Sequence, residues 1–258
     1  MEWFAEEKET ILIYGNAKTG KTWAYCSFIE QIIAKGGKIF IINTDNGVSK
    51  TLKQYFGDKS PTITQAITYY FISDLADIFE VVREIKEKAQ PKDLIIIDLI
   101  SDFWEMAQNK FMEECSGGNI IGFIERMSKD IKTFGMFDSS KWNYIKKLDG
   151  YIIESLITRA PCNIIGVSAQ KDLDIEKAMN KGKTKSPDYE AAGAKPAGQP
   201  TLAYRFNTVV YIGKTERGEK HYFQIMGDRG AVTNQGMISF DKSFWETFEK
   251  ERIRRYSQ

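Results

Sequence analysis

Histidine is all but missing from this sequence: its 258 residues include one, His221. A metal centre built on histidines, or a triad with a histidine base, is thereby all but excluded as the main chemistry. Cysteine is nearly as scarce. Cys26, Cys115 and Cys162 lie far apart in unlike contexts, which argues against a disulfide framework and for a reducing compartment. Cys26 and Cys162 fall in apolar segments and read as small buried hydrophobes. No apolar run approaches the ~20 residues of a membrane span, and an N-terminus carrying Glu2, Glu6, Glu7 and Glu9 is unlike a signal peptide. The expectation is a cytoplasmic protein with no membrane partner. An excess of one charge is also lacking: 36 basic against 35 acidic side chains leave a net charge of +1. Any surface for nucleic acid must therefore be local.

The sequence does contain a loop of known chemistry. Gly15, Asn16, Ala17, Lys18, Thr19, Gly20, Lys21 and Thr22 read G-x-x-x-x-G-K-T. The loop follows the apolar run 10–14 and precedes residues 23–34, which can form a helix. A phosphate needs backbone N–H groups converging from a tight loop and the positive end of a helix dipole, and this order supplies both. Gly15 and Gly20 admit the close backbone approach. Lys21 can reach the β- and γ-phosphates, and the Thr22 hydroxyl can ligate Mg2+. A chance match in a Gly/Lys-rich turn is the competing explanation, and the flanking strand and helix weigh against it. The expected ligand is a nucleoside triphosphate.

Further runs of strand length follow. Residues 38–42 form a run that is continuously apolar after Lys38, as in a parallel strand buried on both faces. They deliver Asp45 to a carboxyl end, where ligands of open α/β sheets sit. Residues 67–71 are rich in β-formers. Residues 93–98 run through four aliphatic side chains into Asp98, the shape of a Walker B strand whose aspartate holds Mg2+; the plainer alternative is a strand cap. Residues 163–168 lead to Gln170 at the same edge, either a sensor of the γ-phosphate or an ordinary surface amide. Residues 208–212 and 221–226 predict a hairpin. Apolar residues at helical spacing mark 28–33, 78–85 and the long stretch 99–160, which reads as a helical insertion. Residues 171–200 hold six lysines and no large apolar cluster. There Lys181, Lys183, Lys185 and Lys195 are candidates for phosphate contacts in a mobile loop, the alternative being a solvated linker. The tail 240–258 predicts a helix whose basic run, Lys250, Arg252, Arg254 and Arg255, reads as a solvated end. No repeat or second domain is evident, so residues 1–258 read as one domain.

This order of elements resembles the RecA-like ATPase core. It is closer still to the small RecA-like ATPases encoded by bacterial and archaeal viruses, including those tied to single-strand annealing and recombination. Residues 15–22, 41–47, 95–98, 142–146 and 160–171 carry the resemblance, and 205–229 extend it. It implies an α/β fold, a RecA-like P-loop NTPase core with a mainly parallel central sheet flanked by helices, a helical insertion and C-terminal β-hairpins. It also implies ATP as the nucleotide and Asp45 as the acidic general base, at a place where the family more often has Glu. Gln170 would couple the γ-phosphate to a DNA-contacting loop at 171–200. Where many members carry Lys-x-Arg, this sequence reads Gly227-Asp228-Arg229, leaving Arg229 as the finger that could reach a neighbouring subunit. The implied partners are single-stranded DNA, further copies of the chain in a ring or filament, and a single-strand-binding or other protein.

The reading is thus an Mg2+-dependent ATPase acting on single-stranded DNA in recombination, annealing or replication. An ATP-driven regulatory or packaging-type switch acting on protein partners is the alternative, and the near-zero net charge favours it. A small-molecule kinase fits less well, because the candidate lid has lysines but no arginine. Nucleotide binding without hydrolysis would follow if Asp45 is not the base.

Overall fold

Strands that alternate between two apolar cores dictate the architecture. In β1 (Thr10–Gly15) every residue is buried; Ile11 and Ile13 enter one core, Leu12 and Tyr14 the other. β2 (Ile39–Asn43) and β4 (Leu94–Asp98) are buried end to end in the same way, as their continuous aliphatic runs require. The computed structural model describes residues 8–45, 47–119, 121–122, 125, 139–173, 189, 193–215, 220–229, 236–240 and 244–256. Lys181, Lys183 and Lys185, and residues 126–138 of the expected helical insertion, lie outside the described residues.

The sheet order is β3-β2-β4-β5-β1-β7-β8-β9, with β6 pairing only β5. Here β3 is Ile67–Phe71, β5 Asn163–Asp172, β6 Ala194–Pro196, β7 Thr208–Lys214, β8 His221–Asp228 and β9 Ile238–Phe240. From β3 through β7 all neighbours in this order are parallel; the last two strands return antiparallel. One core is covered by α4 (Leu75–Lys88) and by α6 (Ser139–Ile153) with the π-helical turn that continues it (Glu154–Thr158). The other is covered by α1 (Lys21–Ala34), α2 (Val48–Phe56) and α7 (Phe244–Tyr256). Phe28 of α1 meets Trp245 of α7 at a centroid distance of 4.3 Å. Two further helices are the short α3 (Ser60–Gln65) and the longer α5 (Asp102–Ser116), the latter packed on α6.

Register brings the chemistry to one edge. Gly15 lies beside Ala169, and Asp98 beside Asn43 and Val167. β5 runs four residues past the predicted end, because its polar tip Gln170–Asp172 is held by β6. At the opposite edge the tail departs from expectation. Lys250 and Arg254 are exposed, but Arg252 is 3% exposed. It is paired with Glu9 at 3.4 Å and Asp228 at 3.1 Å, and Thr208 donates to Glu9 at 3.0 Å. Two buried carboxylates, one just before the first strand and one at the end of the eighth, need a cation there, and α7 places one between them.

Candidate nucleotide-binding site

The turn between β1 and α1 sets up an anion site. Gly20 has φ 93° and Lys18 φ 61°, left-handed conformations that glycine adopts without a Cβ penalty. A Cβ on Gly15 would lie 2.1 Å from the carbonyl oxygen of Ile212, so β7 leaves room for glycine alone. No side chain caps α1, and no acidic residue stands in its first turn. In α4, by contrast, Asp74 accepts from the Ala76 N–H. The first N–H groups of α1 and its dipole are thus left for an external anion. Lys21 folds back over the loop, donating to the carbonyls of Gly15 and Asn16 at 2.9 and 2.8 Å. Burial lowers its pKa, with Asp98 and Asp45 opposing the shift.

Asp98 closes the other side. Its Oδ2 accepts from the Thr22 hydroxyl at 3.2 Å and from the Tyr25 hydroxyl at 3.1 Å. The carboxyl is 3% exposed, and its pKa rises to about 6, first through burial and then through Asp45, against hydrogen bonds from Tyr25 and Thr22 and the charge of Lys21. A site that pushes a carboxylate toward protonation is short of positive charge. Hard oxygen donors from Thr22 and Asp98 beside an anion cradle fit Mg2+, which takes one or two protein ligands and completes its shell with phosphate and water. Among the described residues no cluster of three or more metal-ligating acids, cysteines or histidines exists.

Asp45 stands just beyond β2, its Oδ1 accepting from the Gly47 N–H at 2.8 Å. Its backbone is fixed from both sides. Asn43 donates to the Asp45 carbonyl and, at 2.7 Å, to the Tyr69 hydroxyl. Thr44 donates to Asp102 at 2.6 Å while accepting from the Leu99 N–H at 2.9 Å. A cleft of 890 Å³ joins these groups, lined by the phosphate loop, Trp23, Asp45, Thr51, Gln54, Asp98, Gln170, Lys214 and His221 among others. The amide of Gln170 donates to Asp172 at 2.7 Å, and its carbonyl oxygen is buried with no partner among the described residues.

The fold therefore gathers Gly15 through Thr22, Asp45, Asp98 and Gln170, and leaves Arg229 apart. Thr208 pairs with Asp228 and Lys214 with His221, so Arg229 follows the end of β8 remote from the phosphate loop. Its guanidinium donates to the Tyr204 carbonyl at 2.8 Å. Lys195 lies opposite Lys171 on the β5–β6 ladder. Sequence reasoning missed Tyr25, Asn43, Thr44, Lys214 and the placement of His221. Only Tyr25 carried a local signal, being one helical turn beyond Thr22 on the side that faces Asp98.

A parallel sheet with a phosphate loop after its first strand and an aspartate-tipped strand one place removed defines a P-loop ATPase of RecA-like fold. The sequence matches the AAA domain family over residues 7–243 and belongs to it. The RadB recombinase superposes with a TM-score of 0.52 at 14% identity, over 91% of this chain and 88% of its own. The KaiC-like protein PH0186 from Pyrococcus horikoshii OT3 gives 0.53 at 12% identity, over 91% and 87%. No curated protein matches the sequence. No helix among the described residues is long and apolar enough to cross a membrane.

Proposed function

We propose that this ATPase binds ATP with Mg2+ held by Thr22 and Asp98, hydrolyses it with Asp45 as the water-orienting base, and acts on single-stranded DNA as an assembly of copies. The observation that carries the reading is the meeting of Lys21, Thr22, Asp98 and Asp45 around an uncapped helix N-terminus. When bound, Mg2+ would neutralise charge on the phosphate oxygens. Lys21, released from its carbonyls, would bind the β- and γ-phosphates, while the loop N–H groups hold the chain in line. Asp45 would accept a hydrogen bond from the water whose oxygen attacks the γ-phosphorus as the bond to the β–γ bridging oxygen breaks. Positioning and charge stabilisation are most of what such a site must supply.

Support for the DNA reading comes from β5. One strand carries Gln170 at the cleft and, one residue later, Lys171 across from Lys195. A change at the γ-phosphate thus has a short rigid route to a pair of basic side chains. A switch acting on a protein partner is the second reading, favoured by the net charge of +1.

Steady-state hydrolysis with Mg2+, with and without single-stranded DNA, at several protein concentrations and two salt concentrations, tests the proposal. Stimulation that fades with salt and grows with protein concentration is expected, and Lys21→Ala should show neither turnover nor triphosphate binding. Turnover indifferent to DNA and to salt would move the assignment to a protein-directed switch.

A further inference from the structure

The single histidine of the chain sits against the phosphate loop. His221 opens β8, and its Nδ1 is 2.6 Å from the backbone carbonyl oxygen of Thr19. A carbonyl can only accept, so Nδ1 carries the proton. The ring is seated closely: a Cβ on Gly20 would lie 2.9 Å from Nδ1, and Phe240 of β9 flanks the ring at a centroid distance of 5.9 Å. His221 also lines the cleft, across the ladder from Lys214.

We propose that His221 is a positioning residue that sets the phosphate loop through the Thr19–Gly20 peptide. A trans peptide unit is planar, and its C=O and N–H point in opposite directions. Holding the Thr19 oxygen toward β8 therefore turns the Gly20 N–H to the other side of the loop, into the cradle at the start of α1. Gly20 has φ 93° and no Cβ, so this peptide is among the freest in the loop to rotate. An outside hydrogen bond fixes it before the anion arrives, which lowers the ordering cost of binding. The anchor comes from the antiparallel end of the sheet rather than from β1 or α1. The β7–β8 hairpin is thereby mechanically joined to the loop. This inference rests on the phosphate-loop reading above.

Two substitutions separate the hydrogen bond from the packing. His221→Leu keeps an apolar body against Phe240 but has no donor. His221→Asn can place an amide N–H where Nδ1 stands. Binding of ATP, ADP and inorganic tripolyphosphate to the protein would be measured by calorimetry, with thermal melting as a control for folding. His221→Leu is expected to weaken all three ligands by a similar factor, about tenfold, the worth of one hydrogen bond, and His221→Asn to recover most of that loss. Wild-type affinity in His221→Leu would overturn the proposal. So would a loss confined to ATP and ADP, which would make His221 a contact to the nucleoside, or an Asn variant that folds yet binds as weakly as Leu. Failure of the wild-type protein to bind any of the three would instead reject the nucleotide-binding reading itself.

Discussion

Asp45 and Asp98 share a charge-poor corner, yet they are held differently. Asp98 is buried under two hydroxyl donors, whereas Asp45 takes one backbone N–H and borders the open cleft. The first geometry suits a fixed ligand, the second a group that must exchange contacts with water. Asp45→Asn should therefore lower turnover by about 10²–10⁴-fold while leaving ATP affinity within about twofold, as single-turnover and equilibrium binding assays would show. Asp149 of α6 presents the opposite case, a buried carboxyl outside the site. Burial raises its pKa to about 7, with Arg205 opposing, and its Oδ2 has no hydrogen-bond partner among the described residues. The folded state holds this proton more tightly than the unfolded chain, so its contribution to stability falls as pH rises from about 4 to about 7 and is lost above that. Asp149→Asn should raise the melting temperature by roughly 2–8 °C at pH 8, with the gain shrinking toward pH 5.

Among the elements, α7 shows how far a short-range reading reaches. Its core face was legible as an apolar and aromatic start, and Phe244, Trp245 and Phe248 are buried. Arg252 was not legible, because its partners Glu9 and Asp228 are distant in sequence and a lone arginine in a basic run carries no mark of burial. Arg252→Met would strand two buried carboxylates. The cost is about 3–5 kcal/mol, read as a drop in melting temperature of roughly 6–20 °C. Burial already raises the pKa of Glu9, and Arg252 opposes that rise. Without the guanidinium the carboxyl protonates more readily, so the loss should be larger at pH 8 than at pH 5. The central strands were readable for the converse reason. β1, β2, β4 and the first part of β5 are buried on both faces, which forces continuous aliphatic runs. The tip of β5 is polar and is a strand only because β6 pairs with it, a contact made from more than twenty residues away. The loop Gly15–Thr22 was readable as a turn between strand and helix, since its pattern is local. Tyr25, Thr44 and His221 act through partners that only the fold supplies.

At the scale of the whole molecule, the cleft and Arg229 lie at opposite ends of the sheet. If Arg229 serves a nucleotide, that nucleotide belongs to another copy. Arg229→Ala should then lose turnover about tenfold or more under assembling conditions. Mixing it with Lys21→Ala should restore part of the activity, because one variant offers an intact loop and the other an intact arginine. A mixture no more active than its parts would remove Arg229 from the reaction.

The position of β1 has a consequence for how the molecule is made. Among the described strands it is made before the others, yet its two neighbours, β5 and β7, come from the second half of the sequence. β2, β3 and β4 can pair with one another as they emerge, while β1 must wait, and such long-range pairing is slow. Glu9, just before it, gains its cation only when Arg252 of α7 is in place. The loop after β1 is therefore made before the strands that fix it and is finished only after them. Nucleotide binding by this protein is a test of whether β5, β7 and α7 have arrived.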